Sequence, residues 1–250
     1  MGVICENDLL FFHMISIRIG GHCMDRKRLL LTAIIILSGA GYLLAMAEQS
    51  MTMRWILKPG TILLIIGLAL TLRNTAKAYR NLVIVGLLLS AAGDCFLLLE
   101  GSKWFVLGLS SFLLAHLTYI AAFATRWRGL SLYRLLTLIP IALYSAWLLS
   151  ELHKGIYTGG NTGLWLPVLV YVIVISAMIL SAVISGSGVA MAGAVVFFVS
   201  DSLLAWNMFV SPIDGAGYAV MVTYYAAQFM IAKSIENHKY STGAQGLAIL

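Results

Sequence analysis

Residues 81–99 read NLVIVGLLLSAAGDCFLLL, an apolar stretch that carries one charged side chain, Asp94. A helix crosses a bilayer with about 20 predominantly apolar residues, so this stretch has spanning length. Similar runs recur along the chain, at about 29–47, 58–73, 81–99, 104–125, 132–150, 164–185, 189–210 and 216–235. The sequence therefore predicts an all-α integral membrane protein with a bundle of about eight transmembrane helices.

Composition supports the same fold class and excludes a soluble globule. Of the 250 residues, 61% are hydrophobic and 10% are charged, whereas a soluble domain is about a quarter charged. The net charge of +6 is spread between the apolar runs, which favours a lipid bilayer as partner and gives no sign of nucleic-acid binding.

The basic residues predict the orientation. With the N-terminus inside, 12 of the 16 Lys and Arg residues fall on inner segments, and Arg54, Lys58, Lys103 and Lys154 fall on outer ones. The positive-inside rule then places both termini in the cytoplasm. The membrane is expected to be the plasma (inner) membrane of a bacterium or the endoplasmic reticulum of a eukaryote. Only the loop 151–163 is predicted to be long enough for mobility, so an active site is expected within the bundle.

The chain ends are expected to lie outside the bundle. Leu9–Ile17 is too short to span a bilayer, and Met24 is followed by four charged residues at 25–28. We therefore expect residues 1–23 to be an N-terminal extension, residues 24–240 a single transmembrane domain and 241–250 a C-terminal tail. The spacing of Cys5, Cys23 and Cys95 predicts neither a disulfide framework nor a zinc site.

Matching positions hint at an internal duplication. Asp94 and Asp201 are separated by 107 residues, and each is followed by a leucine three positions later. His116 and Gln228 are separated by 112 residues, and each follows an alanine. This pattern suggests two four-helix halves in tandem; chance similarity between short apolar helices is the alternative.

Two carboxylates stand inside predicted spans, Asp94 and Asp201. A carboxylate at mid-membrane costs at least about 2.5 kcal/mol and therefore usually faces the bundle interior and serves a function. Both spans run in the same direction, so the two carboxylates are expected at similar depth. A hydrogen-bonded pair that only fixes helix packing is the structural alternative.

Other polar side chains are expected near the same level. His116 and Gln228 each lie twelve residues into their spans, Tyr119 shares a helix face with His116, and Tyr225 lies one turn before Gln228. Asn207 and Lys58 are predicted nearer the outer ends, where Lys58 is a candidate for binding phosphate or, alternatively, an interfacial residue. The set suits general acid–base hydrolysis without a metal or cofactor.

Five segments in order resemble the lysoplasmalogenase, or YhhN-like, family of membrane hydrolases. They are Trp55-Ile-Leu-Lys58-Pro59-Gly-Thr61, Gly93-Asp94-x-x-Leu97-Leu98, Phe112-x-x-Ala115-His116-x-x-Tyr119-x-x-x-Phe123, Ser200-Asp201-x-x-Leu204-Ala205-x-Asn207-x-Phe209 and Tyr225-x-x-Ala-Gln228-x-x-Ile231. The resemblance implies about eight transmembrane helices. It also implies that the chain hydrolyses the vinyl ether bond of a lysophospholipid substrate, a lysoplasmalogen, to a fatty aldehyde and a glycerophospho-base.

That reaction is compatible with the polar residues. An acid must protonate the β-carbon of the vinyl ether, and a base must deliver water to the resulting oxocarbenium ion. Our hypothesis gives these roles to Asp94 and Asp201 without assigning which is which, with His116 catalytic beside them. Lys58, Tyr119, Asn207, Tyr225 and Gln228 are expected to bind the substrate. The alternatives are a small proton-coupled transporter and a non-catalytic lipid-binding protein.

Overall fold

The structure is a computed structural model that describes residues 18–19, 22–23, 26–72, 77–129 and 131–236. Its helices are α1 Arg26–Ala47, α2 Met51–Thr71, α3 Lys77–Phe96, α4 Ser102–Ala124, α5 Leu132–Leu136, α6 Leu138–Thr158, α7 Trp165–Ser185, α8 Gly188–Phe209 and α9 Ala216–Lys233. Short 3-10 helices cover Thr162–Leu164 and Ser234–Glu236. Two strands, β1 Arg18–Ile19 and β2 His22–Cys23, pair antiparallel.

The chain is a multi-pass membrane protein, as the hydropathy pattern predicts. Within the described ranges, seven helical segments are long and apolar enough to cross a membrane. The remaining long helix, α9, has 18 residues and includes three tyrosines, a glutamine and a lysine. Helix α9 is less apolar because it contributes several of the polar side chains inside the bundle. The predicted all-α membrane bundle is confirmed.

Two predicted boundaries are wrong. Helix α2 begins at Met51 instead of 58, so Pro59 lies inside the helix. The segment 151–163 is mostly helical, because α6 continues to Thr158. Leu148, Leu152 and Ile156 are buried at four-residue spacing, so burial of this stripe extends the helix beyond the apolar run. The proposed termini, 1–23 and 241–250, lie almost entirely outside the described residues.

Within each half of the chain, α1–α4 and α6–α9, consecutive long helices pack as antiparallel neighbours, and α4 with α7 and α2 with α9 join the two halves. We call the end with the α1–α2, α3–α4, α6–α7 and α8–α9 connections the distal end, and the opposite end the proximal end. At the proximal end Arg28 pairs with Glu236, and the Arg126 guanidinium stacks on the Tyr79 ring. Arg126 also donates to the carbonyl of Ser234, and the Tyr79 hydroxyl bonds to the Ser234 hydroxyl, so the segment after α9 is fixed against α1, α3 and α4.

Glycines allow the closest helix contacts around the centre of the bundle. A Cβ on Gly86 would lie 2.3 Å from the Tyr119 ring, and one on Gly93 would lie 2.7 Å from the Phe112 ring. Side chains of α4 therefore lie directly against the backbone of α3. At the distal end a Cβ on Gly155 would collide with the carbonyl of Phe209, so α6 approaches α8 most closely there.

Candidate active site

All eight long helices contribute to a cavity of about 350 Å³. Its polar wall includes Arg54, Lys58, Asp94 and Asp201, and Tyr171 and Tyr224 present further polar atoms. A second wall is apolar and comes from α6, α7 and α8, with Leu148, Val168, Val172, Ile175 and Phe198. The cavity reaches towards the distal end, where Met46, Phe209 and Ala216 line it. A single-chain amphiphile has the polar and apolar parts that match these walls.

Asp94 is buried between two partners from different helices. The hydroxyl of Tyr224 on α9 donates to Asp94 Oδ2 at 2.7 Å, and Lys58 Nζ on α2 lies 3.5 Å from Asp94 Oδ1. The Asp94 side chain is 2% exposed and that of Lys58 is 9% exposed. The ammonium group therefore balances a carboxylate charge in a site with little water.

Asp201 forms a second cluster with His116 and Tyr171. The Tyr171 hydroxyl donates to Asp201 Oδ2 at 2.7 Å, and His116 Nε2 lies 3.2 Å from the same oxygen. His116 Nε2 is also 2.8 Å from the Tyr171 hydroxyl, which can accept a hydrogen bond from the ring N–H while donating its own hydrogen bond to Asp201. Asp201 Oδ1 has no hydrogen bond within the described residues, and the side chain is 16% exposed.

The two clusters are built alike. Each aspartate is bound by a side chain from the preceding long helix of its own half, Lys58 or Tyr171. Each is also bound by a side chain from the last helix of the other half, Tyr224 for Asp94 and His116 for Asp201. This exchange is the arrangement expected of two tandem halves related by a two-fold axis.

Aromatic rings connect the clusters. The Phe197 ring packs edge-on against His116 at 4.7 Å and against Tyr224 at 5.6 Å between ring centroids. Phe112 packs against both Phe197 and Tyr224. These rings restrict the orientation of the two groups that hold the carboxylates.

Tyr119 and Gln228 lie on the proximal side of the cavity and do not line it. The Tyr119 hydroxyl donates to Gln228 Oε1 at 2.7 Å, and both residues are fully buried. Tyr225 packs edge-on against Tyr42, and its hydroxyl is 3.5 Å from the carbonyl of Lys58. These three side chains therefore support the helices that carry Lys58 and Tyr224.

Asn207 lines the cavity, but its carbonyl oxygen is already occupied. Asn207 Oδ1 accepts a hydrogen bond from the backbone N–H of Ile213 at 2.8 Å. The side chain thereby fixes the connection between α8 and α9. The structure brings Lys58, Asp94, Asp201 and Asn207 to one cavity, with His116 directly behind Asp201.

Sequence reasoning missed Tyr171 and Arg54 as site residues. Tyr171 lies in an apolar span, where tyrosine is common, and its role becomes visible only beside Asp201. The sequence predicts Arg54 on an outer segment, and the structure shows that it lines the cavity one helical turn from Lys58. A cation four residues before a predicted site residue on the same helix was the available signal.

The arrangement is suited to proton transfer to and from a ligand whose apolar part lies along the apolar wall of the cavity. Two carboxylates face one cavity, each held by donors that fix its orientation. One carboxylate has an ammonium partner, and the other is coupled to an imidazole. Within the described ranges, no three His, Cys, Asp or Glu side chains form a group that could hold a metal ion.

Comparisons with known proteins agree with these features. A model described as the YhhN family matches residues 53–235. The protein named lysoplasmalogenase TMEM86B of Homo sapiens is 34% identical over 161 residues, which cover 64% of this chain and 66% of that protein. Lysoplasmalogenase TMEM86A of Bos taurus is 35% identical over 160 residues, with 61% and 64% coverage.

A bacterial protein is similarly related. The lysoplasmalogenase of Mycobacterium tuberculosis is 32% identical over 157 residues, covering 61% of this chain and 59% of that protein. The chain thus spans about three fifths to two thirds of the length of these relatives. No solved structure matches the chain.

Proposed function

The chain belongs to the YhhN family, and from that membership we propose that it is a membrane hydrolase acting on the vinyl ether bond of lysoplasmalogens. The products are a fatty aldehyde and a glycerophospho-base. The observation that carries the proposal is the pair of carboxylates, Asp94 and Asp201, lining one cavity that also has an apolar wall. The names of the relatives support the substrate class.

The polar and apolar walls favour one orientation of the substrate in the cavity. Its alkenyl chain lies along the apolar wall of α6, α7 and α8, near Val172 and Phe198, and its polar end points to the distal end. The vinyl ether is then placed between Asp94 and Asp201. Holding the reacting bond beside both groups removes the entropy cost of bringing them together during the reaction.

Asp201 takes the role of the acid. Its Oδ2 is occupied by Tyr171 and His116, whereas Oδ1 has no hydrogen bond within the described residues. A proton on Oδ1 passes to the β-carbon of the vinyl ether, and the electron pair of the double bond forms the new C–H bond. The α-carbon and the ether oxygen then share the positive charge of an oxocarbenium ion.

Asp94 takes the role of the base. The Lys58 ammonium lies beside it and matches its negative charge, and a negative carboxylate stabilises the nearby oxocarbenium ion. Asp94 accepts a proton from water as the water oxygen bonds to the α-carbon. As the hemiacetal collapses to the aldehyde, its C–O bond to glycerol breaks and its hydroxyl proton passes to the glycerol oxygen. The proton that Asp94 took from water then passes to Asp201, which restores both carboxyl groups.

His116 is a positioning residue in this scheme. It is fully buried and reaches the substrate only through Asp201 and Tyr171. Its Nε2–H donates to the Asp201–Tyr171 pair, so it helps to hold Oδ1 towards the cavity. Gln228 and Tyr119 act one step further away, through the helix that carries Tyr224.

The same topology is proposed for the cell. We assign the proximal end, and with it both termini, to the cytoplasm because Lys and Arg are concentrated there in the sequence. The distal mouth of the cavity then faces the opposite side of a bacterial plasma membrane or an endoplasmic reticulum. A reporter that fluoresces only in the cytoplasm, fused after Leu250, is expected to fluoresce.

The decisive experiment supplies the purified protein with a lysoplasmalogen and, separately, with the matching alkyl-ether lysophospholipid. Aldehyde is expected from the vinyl ether alone, because the saturated ether cannot be protonated at carbon. In D₂O with immediate reduction of the product, one deuterium is expected at the carbon next to the former aldehyde. Release of fatty acid, or no turnover of the vinyl ether, would contradict the proposal. Solute flux that depends on Asp94 without lipid turnover would favour transport.

A further inference from the structure

We propose that Arg54 binds the phosphate of the lipid headgroup at the distal mouth of the cavity, an inference that rests on the proposed function for its substrate. Arg54 lines the cavity and is partly buried. Its Nε is buried and has no hydrogen-bond partner within the described residues. A buried guanidinium nitrogen without a protein partner needs a partner from outside the chain, and an anion is one that also matches the charge.

The other charges in the cavity leave Arg54 as the cation that matches a phosphate. Among the residues that the structure describes, four charged side chains line the cavity, Arg54, Lys58, Asp94 and Asp201. Lys58 is paired with Asp94, and Asp201 is bound by Tyr171 and His116. A lipid phosphate with one negative charge therefore finds its partner at Arg54 and not at Lys58, the residue that the sequence pattern suggested.

The spacing agrees with the shape of a lysophospholipid. Arg54 lies four residues before Lys58 on α2, so it is about 6 Å further towards the distal end along the helix axis. The glycerol backbone separates the phosphate from the vinyl ether by a comparable length. With the phosphate at Arg54, the vinyl ether reaches the level of Lys58 and Asp94, where the reaction is proposed.

The chemistry of arginine suits this role. The guanidinium presents several N–H donors in a planar fork that matches phosphate oxygens. Arg54 also lies in the first turn of α2, where the unpaired backbone N–H groups and the helix dipole favour an anion. The contact is to phosphate, so choline and ethanolamine headgroups are expected to depend on Arg54 equally.

Binding of non-hydrolysable lipids tests the assignment independently of turnover. The probes are an alkyl-ether lysophosphocholine, the alkylglycerol that lacks its phosphate, and inorganic phosphate alone. Arg54→Gln is expected to weaken binding of the lysophosphocholine about tenfold, or about 1.4 kcal/mol, and to leave alkylglycerol binding unchanged. Arg54→Lys, which keeps the charge without the fork, is expected to weaken it less and serves if Arg54→Gln does not fold.

Lys103→Gln is the matched control, because Lys103 is also at the distal end, lies over the Trp104 ring and is not among the cavity residues. It should change neither affinity. Unchanged lysophosphocholine binding by Arg54→Gln, or equal weakening for both lipids, would overturn the assignment. Displacement of the lipid by inorganic phosphate at equal concentration would assign the site to a free anion instead. If the wild-type protein binds the alkyl-ether lipid but releases no aldehyde from a lysoplasmalogen, the proposed hydrolase activity is refuted and the binding comparison at Arg54 stays valid.

Discussion

Lys58 Nζ lies 3.5 Å from Asp94 Oδ1, and both side chains are at least nine-tenths buried. Burial removes most of the water that would otherwise stabilise each charge, so each group depends on the other. The pair joins α2 to α3, and Tyr224 adds α9 through its hydrogen bond to Asp94. We therefore expect Asp94 to contribute both to the stability of the bundle and to the proposed reaction in the cavity.

Lys58→Met is expected to destabilise the protein, because it leaves the Asp94 charge buried without its partner. Removing one member of a buried pair costs about 3–5 kcal/mol. The double variant Lys58→Met/Asp94→Asn should recover most of that loss but release no aldehyde. Thermal unfolding in detergent measures the first effect and aldehyde release the second.

The control for this prediction is Lys154→Met. Lys154 pairs with Glu151 but is 65% exposed, so the change should stay within about 1 kcal/mol. If Lys58→Met and Lys154→Met unfold at the same temperature, the buried pair does not stabilise the bundle as argued.

Tyr171→Phe removes the hydroxyl that donates to Asp201 while keeping the ring. Asp201 becomes negatively charged as it gives its proton to the substrate, and a hydrogen bond to a charged group contributes about 1.5–3 kcal/mol. We therefore expect kcat to fall about ten- to a hundredfold, with KM changed little, because the substrate does not contact that proton. Steady-state kinetics of aldehyde release separates the two constants.

Tyr144→Phe controls for loss of a tyrosine hydroxyl. Tyr144 is 40% exposed on α6 and packs on Trp147 and Phe198. Its kinetics should match those of the wild type. A fall confined to KM in Tyr171→Phe would instead mean that the hydroxyl binds substrate and does not orient Asp201.

Gly86→Ala is expected to destabilise the packing of α3 on α4. The new Cβ would lie 2.3 Å from a carbon of the Tyr119 ring, and that ring is fully buried. Overpacking of this kind costs about 1–3 kcal/mol, and displacement of Tyr119 should also disturb Gln228. Loss of folded protein on heating gives the measurement.

Gly67→Ala, on the neighbouring helix α2, is expected to change stability in the opposite direction and to stabilise the protein. Nothing lies within 4 Å of a Cβ at Gly67, and alanine stabilises a helix over glycine by roughly 0.5–1 kcal/mol. Equal stability changes of the same sign at both positions would show that Tyr119 is not packed against Gly86.

Asn207→Ala tests whether Asn207 binds substrate or holds a loop. Its oxygen accepts from the Ile213 backbone N–H, so we expect a stability loss of about 1 kcal/mol and a KM within about twofold of the wild type. A large rise in KM with unchanged stability would restore the direct substrate role suggested by the sequence.

The sequence predicted the fold and the two carboxylates because both leave strong local signals. Long apolar runs identify membrane helices, and Asp94 and Asp201 are conspicuous inside such runs. Asp94 and Tyr224 are 130 residues apart, and His116 and Asp201 are 85 apart. Such partnerships depend on how helices pack and not on any local pattern.

The same reason explains the errors. Tyr171 resembles any tyrosine in an apolar helix until Asp201 approaches it. Residues 151–158 appear polar enough for a loop, but burial of Leu152 and Ile156 continues α6 through them. The partner of Lys58 is likewise not predictable from the sequence, because only the packing of α2 on α3 brings Asp94 to it.

The most direct test of the central claim is aldehyde release by Asp201→Asn and Asp94→Asn beside the wild type, with equal amounts of folded protein. General acid–base catalysis contributes about 10²–10⁴ in rate, so each variant should lose at least about a hundredfold in kcat. The double variant Lys58→Met/Asp94→Asn serves where Asp94→Asn alone does not fold. Full activity in both aspartate variants would contradict the two-carboxylate mechanism.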